Sequence, residues 1–305
     1  RILHRLLLVY LIMSAACAIS YWFAGMTVFD AINHAMTTVS TGGFSTHDKS
    51  IAYFDSSAIE LIGVAFMLFA AMPFMLFLPL MLGRRSGLFS DGQVQSMIAV
   101  YFSIATVLTI WLIFTGQLES LDAVRDAIFN VVSIGTTTGF VSSDYTTWGS
   151  FAAMVFFFLT FVGGCSGSTS GGIKIFRFKI AAVMFRETLQ RLLHPNAVFS
   201  RSMQARPLSD EIVASVMAFS LAFATIVGIA ATLLAAAGND VVTSFSAAAT
   251  TMANVGPGIG EVIGPTGNFA SLSAQSKWVL CATMLLGRLE IFTLLLLLTP
   301  TFWRD

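Results

Sequence analysis

Three short stretches of this sequence place a hydroxyl or amide side chain just ahead of a glycine: 41-TGG-43, 137-TTG-139 and 254-NVG-256. A fourth, 160-TFVGGCSGSTSGGIKIFRFK-179, sets Gly163, Gly164, Gly167, Gly171 and Gly172 with Ser166, Ser168 and Ser170 in the middle of an apolar run, just before Lys174. A lone arginine, Arg288, stands inside 284-MLLGRLEIFTLLLLLTP-300. Each feature has a chemistry open to it. Glycine admits backbone angles that let successive carbonyls face one axis, and a ring of carbonyls replaces the hydration shell of an alkali cation. A Gly/Ser run weakens a helix and serves as a hinge, a phosphate cradle or a nucleophile loop.

The surroundings decide between those last uses. Gly164-Cys165-Ser166-Gly167 satisfies the G-x-S-G pattern of intramembrane serine proteases, whose serine needs a histidine base from a later crossing helix. The histidines are His4, His34, His47 and His194, and none lies in a downstream apolar segment. The phosphate pattern G-x-x-x-x-G-K-[ST] is missing, and the run emerges from an apolar segment instead of a soluble strand. Cys17, Cys165 and Cys281 have no metal spacing and read as packing thiols. An enzyme is therefore disfavoured.

The elements that must position these residues follow from the solvent. The chain is 56% hydrophobic and 10% charged, with a mean hydropathy of +0.82, whereas soluble domains carry roughly 25% charged residues. It is an all-α, polytopic membrane protein by this reading, and a net charge of zero excludes a nucleic-acid surface. Six apolar segments reach the roughly 20 residues a crossing needs: Leu3 to Gly25, Ser57 to Gly83, Val94 to Gly116, Phe151 to Arg186, Ile212 to Ala237 and Trp278 to Trp303. The fourth is too long for one straight crossing, and it contains the Gly/Ser run. Arg1, Arg5, Arg84, Arg85, Lys174, Arg177, Lys179, Arg186, Arg191, Arg201, Arg206 and Arg304 fall on one side, against Lys49, Arg125 and Lys277 on the other. That bias puts both termini in the cytoplasm and leaves an acid-rich outer face that concentrates cations. The chain starts at Arg1 without an initiator Met or a signal peptide, so we read it as a piece of a longer polypeptide.

The outer connections repeat. Aligning 30-DAINHAMTTVSTGGFS-45 with 126-DAIFNVVSIGTTTGFV-141 matches Asp30 to Asp126, Ile32 to Ile128, Gly43 to Gly139 and Phe44 to Phe140 without a gap. The weaker copy 243-TSFSAAATTMANVGPG-258 keeps Thr250 opposite Thr37 and Ser133, and supplies Gly256. In each copy a half-helix too short to cross (Ala31 to Val39, Ala127 to Gly135, Ser244 to Ala253) ends in Thr or Asn and then Gly. Its C-terminal end carries roughly half a negative elementary charge and favours a cation inside the membrane, where irregular backbone is tolerated only within protein or beside a water-filled path. The unit is helix, re-entrant half-helix, filter loop, helix, giving pore repeats at 1–93, 94–206 and 207–305. Arg288 costs at least roughly 2.5 kcal/mol in an apolar helix, so it faces the pore or a partner. Glu290, two positions on, points away from it and is a poorer partner than loop carbonyls.

The segments STGGFS, GTTTGF and NVGPG, the GGCSGSTSGGIK interruption and LLGRLEIF together resemble the Trk-type subunit of the Trk, Ktr and HKT superfamily of potassium transporters, over essentially all 305 residues. The resemblance implies four such repeats around one pore, the missing one lying upstream of Arg1. It implies a potassium ion carried through filter residues Thr41, Gly42, Gly43, Thr137, Thr138, Gly139, Asn254, Val255 and Gly256. It makes the run from Gly163 to Gly172 a gate, with Lys174 and Arg288 beside it; the residues alone support a break and leave a static kink open. It further implies a homodimer in a bacterial cytoplasmic membrane, and a peripheral cytoplasmic ring of nucleotide-binding regulatory subunits. The arginine-rich segment 186–210 suits either that regulator or lipid headgroups. Glycine at the three visible filter positions favours potassium, and a sodium-permeable member of the superfamily is the alternative.

Overall fold

The computed structural model describes residues 2–81, 83, 87–194, 202–203, 206–289, 291–297 and 299–303. Arg1, Arg84, Arg85, Arg201, Glu290 and Arg304, used above for orientation or pairing, lie outside them. In chain order the helices are α1 (Ile2–Phe23), α2 (Val28–Val39), α3 (Ser57–Ala70), α4 (Phe77–Met81), α5 (Gly92–Phe114), α6 (Ser120–Gly135), α7 (Ser150–Leu159), α8 (Ile175–Leu193), α9 (Asp210–Ala236), α10 (Val241–Ala253), α11 (Ala274–Arg288) and α12 (Ile291–Leu297). Between α8 and α9, Ser202–Met203 pairs antiparallel with Arg206–Pro207.

The helices α1, α5 and α9, of 22, 23 and 27 residues, are long and apolar enough to cross a bilayer. Each is apolar all round, because one face meets protein and the other meets hydrocarbon. Val9, Met13, Cys17 and Tyr21 recur every fourth residue on the buried face of α1, while Leu7, Leu11, Ile12 and Ile19 are exposed on the other. The same stripe on α5 (Val94, Met97, Tyr101, Ala105, Leu108, Leu112) meets α6, and α9 meets α10 in turn.

The helices α2, α6 and α10 have 12, 16 and 13 residues, short of the roughly 20 needed to cross. All three start earlier than the sequence alignment suggests. Their starts are set outside the aligned block, at Thr27, Glu119 and Asp240. Thr27 accepts a hydrogen bond from Asp30 N at 3.1 Å, and Asp240 accepts one from Thr243 N at 3.0 Å, satisfying N–H groups that open a helix. The Thr243 bond also holds the Asp240 carboxyl below the usual carboxylate range.

The second and sixth apolar segments, read from sequence as continuous crossings, are broken. α3 and the helix after it meet at 94°. Pro73 lacks an N–H and disrupts the ladder there, and the carbonyls of Ala70 and Ala71 accept hydrogen bonds from residues 165–169 instead. α11 ends at Arg288, and α12 begins at Ile291. The fourth segment breaks as expected, with a non-helical stretch from 160 to 174 between α7 and α8.

Candidate functional site

α2, α6 and α10 each end in one local geometry. Thr41, Thr137 and Asn254 have φ of 53°, 59° and 58°, and two residues later Gly43, Gly139 and Gly256 have φ of 66°, 82° and 113°. Left-handed angles on non-glycine residues cost about 1 kcal/mol each, so the surrounding bonds must hold them. A hydroxyl one turn before the helix end does so by donating forward seven residues. Thr37 Oγ1 bonds Phe44 O at 2.8 Å, Ser133 Oγ bonds Phe140 O at 2.6 Å, and Thr250 Oγ1 bonds Pro257 O at 2.9 Å. The loop N–H groups turn back to the same three residues: Gly42 N to Thr37 O at 2.7 Å, Thr138 N to Ser133 O at 2.9 Å, and Val255 N to Thr250 O at 3.0 Å.

With the donors turned to the helix ends, the loop oxygens are left over. Among the described residues, none of the carbonyls of Thr41, Gly42, Gly43, Thr137, Thr138, Gly139, Asn254, Val255 and Gly256 accepts a hydrogen bond. Buried carbonyls are nearly always partnered, and Thr41, Thr137, Thr138 and Val255 are buried. Such a set suits a cation stripped of its water.

The loops stand side by side in a fixed order. A Cβ on Gly43 would lie 1.8 Å from Thr138 O, and one on Gly139 would lie 1.9 Å from Val255 O. One on Gly256 meets nothing within 4 Å. The side between the first and third loops is instead a cavity of about 650 Å³, lined by Thr41, Gly42, Asn254, Gly256, Cys281 and Arg288 among others.

Residues 160–174 lie beneath the loops. Val162 and Ile173 form a parallel bridge, Gly163 N donating to Ile173 O and Ile173 N to Phe161 O, both at 3.0 Å, and a Cβ on Gly163 would lie 2.2 Å from Gly171 O. The stretch is a closed loop, a hairpin in outline although its bridge is parallel, and glycine lets it fold so tightly. Its tip divides by function. Gly167 O accepts from Phe74 N at 3.0 Å and Ser166 N donates to Gln93 Oε1 at 3.1 Å, fastening the hairpin to its surroundings, while Ser168 Oγ donates to Cys165 O at 2.7 Å within the tip itself. Gly164 packs against Ala71, where a Cβ would meet Ala71 O at 2.8 Å. Ser170, Gly171 and their neighbour Thr169 reach the loops above.

Thr169, passed over by the sequence reading, is the hub. Its hydroxyl bonds Val39 O at 3.0 Å and Ala70 O at 3.1 Å. Its carbonyl accepts from Thr41 Oγ1 at 2.9 Å and from an Arg288 Nη at 2.8 Å. The arginine thus pairs with a loop carbonyl, as the sequence argument preferred. Arg288 lines both the cavity between loops and a second one, of about 320 Å³, below the hairpin with Gly172, Lys174, Arg177 and Phe219. Hairpin and arginine together separate the two spaces. Two other features carried a weak signal or none. Tyr101, in an apolar stripe, donates to Gly135 O and to Gly163 O at 3.1 Å, joining the end of α6 to the hairpin. The Met72–Pro73 break marks where α3 hands its last carbonyls to Cys165 and Thr169. Among the described residues Ser166 has no histidine partner: His34 bonds Asp30 O and Ser45, and His47 lies beside Asp30.

Fold and site together define a class, the polytopic helical membrane proteins in which short apolar half-helices end in left-handed loops. The TrkH family, described as cation transport proteins, matches residues 1–304. The chain belongs to this family. It is 47% identical over 289 residues to the Trk system potassium uptake protein TrkI of Halomonas elongata, covering 94% of this chain and 58% of that protein. It is 40% identical over 300 residues to the Trk system potassium uptake protein TrkH of Escherichia coli K12, covering 98% of this chain and 62% of that one. The crystal structure of the potassium transporter TrkH from Vibrio parahaemolyticus superposes with a TM-score of 0.92 at 40% identity, over 98% of this chain and 64% of the other. The chain therefore spans about three fifths of the length of these relatives.

Proposed function

We propose that this chain supplies three sides of a potassium path used for uptake across a bacterial cytoplasmic membrane. The observation that carries the reading is the set of nine loop carbonyls that meet no hydrogen-bond donor among the described residues, held on three adjacent half-helix ends. The names of the relatives above support potassium as the ion. The units are residues 1–93, 94–206 and 207–305. A fourth unit of the same kind fits the open side, where a Cβ on Gly256 would meet nothing within 4 Å and the large cavity lies. The filter is Thr41 to Gly43, Thr137 to Gly139 and Asn254 to Gly256; the hairpin with Lys174 and Arg288 is its gate.

By the same reading the chain works as a homodimer with both ends in the cytoplasm, and the segment 186–210 meets a ring of nucleotide-binding subunits. Lys and Arg predominate on that side, as a cytoplasmic face requires. The test is flux of rubidium and sodium into vesicles holding the full-length protein with its regulatory partner. Rubidium flux well above sodium flux supports the reading, and equal fluxes refute potassium selectivity.

A further inference from the structure

Three carboxylates of α3 and α6 crowd one guanidinium. Arg125, in the second turn of α6, lies 3.2 Å from Glu60 Oε2 of α3, 3.4 Å from Asp122 Oδ1 and 3.3 Å from Asp126 Oδ1. Its Nε donates to Asp126 and an Nη donates to Ser57 Oγ at 3.3 Å, so Glu60 Oε2, although beside the charge, accepts no hydrogen bond. The Glu60 side chain is 7% exposed. A carboxylate oxygen this deep is costly without a donor, and three carboxylates on one arginine leave negative charge over. Beside the cluster opens a cavity of about 400 Å³. Its rim carries Glu60, Asp122 and Arg125, and its wall is apolar, with Val64, Ile128 and Phe129 one turn further along each helix.

Charge at one end and an apolar slot behind it fit an amphiphile. Among the described residues no three His, Cys, Asp or Glu side chains are grouped to hold a metal ion, which disfavours a bare divalent cation. A primary ammonium suits the cluster better, because its three N–H groups can each reach a separate carboxylate. Arg125 is placed to take the phosphate that accompanies such a headgroup. We propose that the groove between α3 and α6 holds one phospholipid with a primary-ammonium headgroup, phosphatidylethanolamine, its ammonium donating to Glu60 and Asp122, its phosphate against Arg125 and an acyl chain along Val64, Ile128 and Phe129. The depth agrees with a headgroup. Glu60 and Arg125 stand in the first two turns of their helices, and the exposed Trp22 and Trp278 stand near the ends of α1 and α11 that the orientation proposed above sets outside, where interfacial tryptophans gather. Only the choice of the outer leaflet rests on that orientation. The lipid joins α3 to the half-helix α6, whose far end carries Thr137 to Gly139.

The full-length protein is stripped of lipid in detergent, and binding of added phosphatidylethanolamine, phosphatidylcholine and phosphatidylglycerol is followed by native mass spectrometry. Choline matches ethanolamine in charge and phosphate but has no N–H to donate, so the comparison isolates the hydrogen bonds to Glu60 and Asp122. Phosphatidylethanolamine should bind about tenfold tighter than phosphatidylcholine, the worth of one hydrogen bond to a charged group. Glu60→Gln should remove most of that preference. Asp122→Asn should narrow it severalfold; that side chain is 51% exposed, so this variant keeps the test open should Glu60→Gln fail to fold. Equal binding of the ethanolamine and choline lipids overturns the proposal, whether water or another segment of the full-length protein fills the groove. A preference that survives both variants overturns it too, since the lipid is then bound at another place. Phosphatidylglycerol as the tightest of the three would make Arg125 alone the determinant and overturn the ammonium. Soluble glycerophosphoethanolamine that displaces the lipid at equal concentration would overturn the acyl-chain contact.

Discussion

Gly139→Ala perturbs the loops at one of their tightest backbone contacts. At φ of 82° the residue sits in the left-handed region, where an L side chain costs about 1–2 kcal/mol. The new Cβ would stand 1.9 Å from Val255 O and 3.0 Å from Pro257 Cδ. An easy carbon–oxygen contact is about 3.3 Å, so the third loop must retreat by about 1.4 Å. That movement carries the Val255 carbonyl away from the axis it shares with the other loops. The measurement is rubidium against sodium flux per folded full-length protein, with folded yield taken from gel filtration. A fall in the ratio of about tenfold is expected, equivalent to about 1.4 kcal/mol of lost discrimination. Gly256→Ala is the informative companion, since it adds strain at φ of 113° and meets nothing within 4 Å in this chain. If a fourth loop closes the ring, Gly256→Ala in the full-length protein is as damaging as Gly139→Ala; if that side stays open, it is much milder. Folded Gly139→Ala protein with a parental ratio would refute the reasoning.

Arg288→Ala should raise flux severalfold per folded full-length protein, because it removes a charge that repels a cation by an energy on the order of 4 kcal/mol at a few Å and an effective dielectric near 20. Lys at this position should fall between, and flux at or below the parent would leave Arg288 as a structural tie to Thr169. Deleting residues 166–168, which fasten the hairpin to Gln93 and Phe74, should raise basal potassium flux and weaken its dependence on the cytoplasmic partner; parental flux in folded protein would return the hairpin to a static kink. Tyr101→Phe strips the donor from two buried carbonyls, Gly135 O and Gly163 O, and should cost about 1–3 kcal/mol. An unchanged thermal midpoint in detergent would contradict that assignment.

Composition and local residue type settled a large part of this molecule. The hydropathy of the chain dictates a lipid solvent, and lipid admits only helices where backbone is not shielded. Positive backbone angles are a property of single residues, so glycine at 43, 139 and 256 marks the loop geometry without knowledge of the fold. The same holds for the hydroxyls at Thr37, Ser133 and Thr250, whose bonds span only seven residues. The break in the fourth segment is equally local, since glycine and serine disfavour helix wherever they stand.

What the tertiary structure alone decided are the contacts made across long stretches of chain. Thr169 looks like one more small polar residue in a Gly/Ser run. Its partners Val39, Ala70, Thr41 and Arg288 lie 130, 99, 128 and 119 positions away. Pro73 hints at a bend in α3, yet that the hairpin fills the gap depends on how α7 and α8 are set against α3. The order of the loops about their axis is likewise invisible locally, because it arises from helix packing. A side chain's conformational preferences travel with the residue, whereas its partners are fixed only when the crossing helices have taken their places.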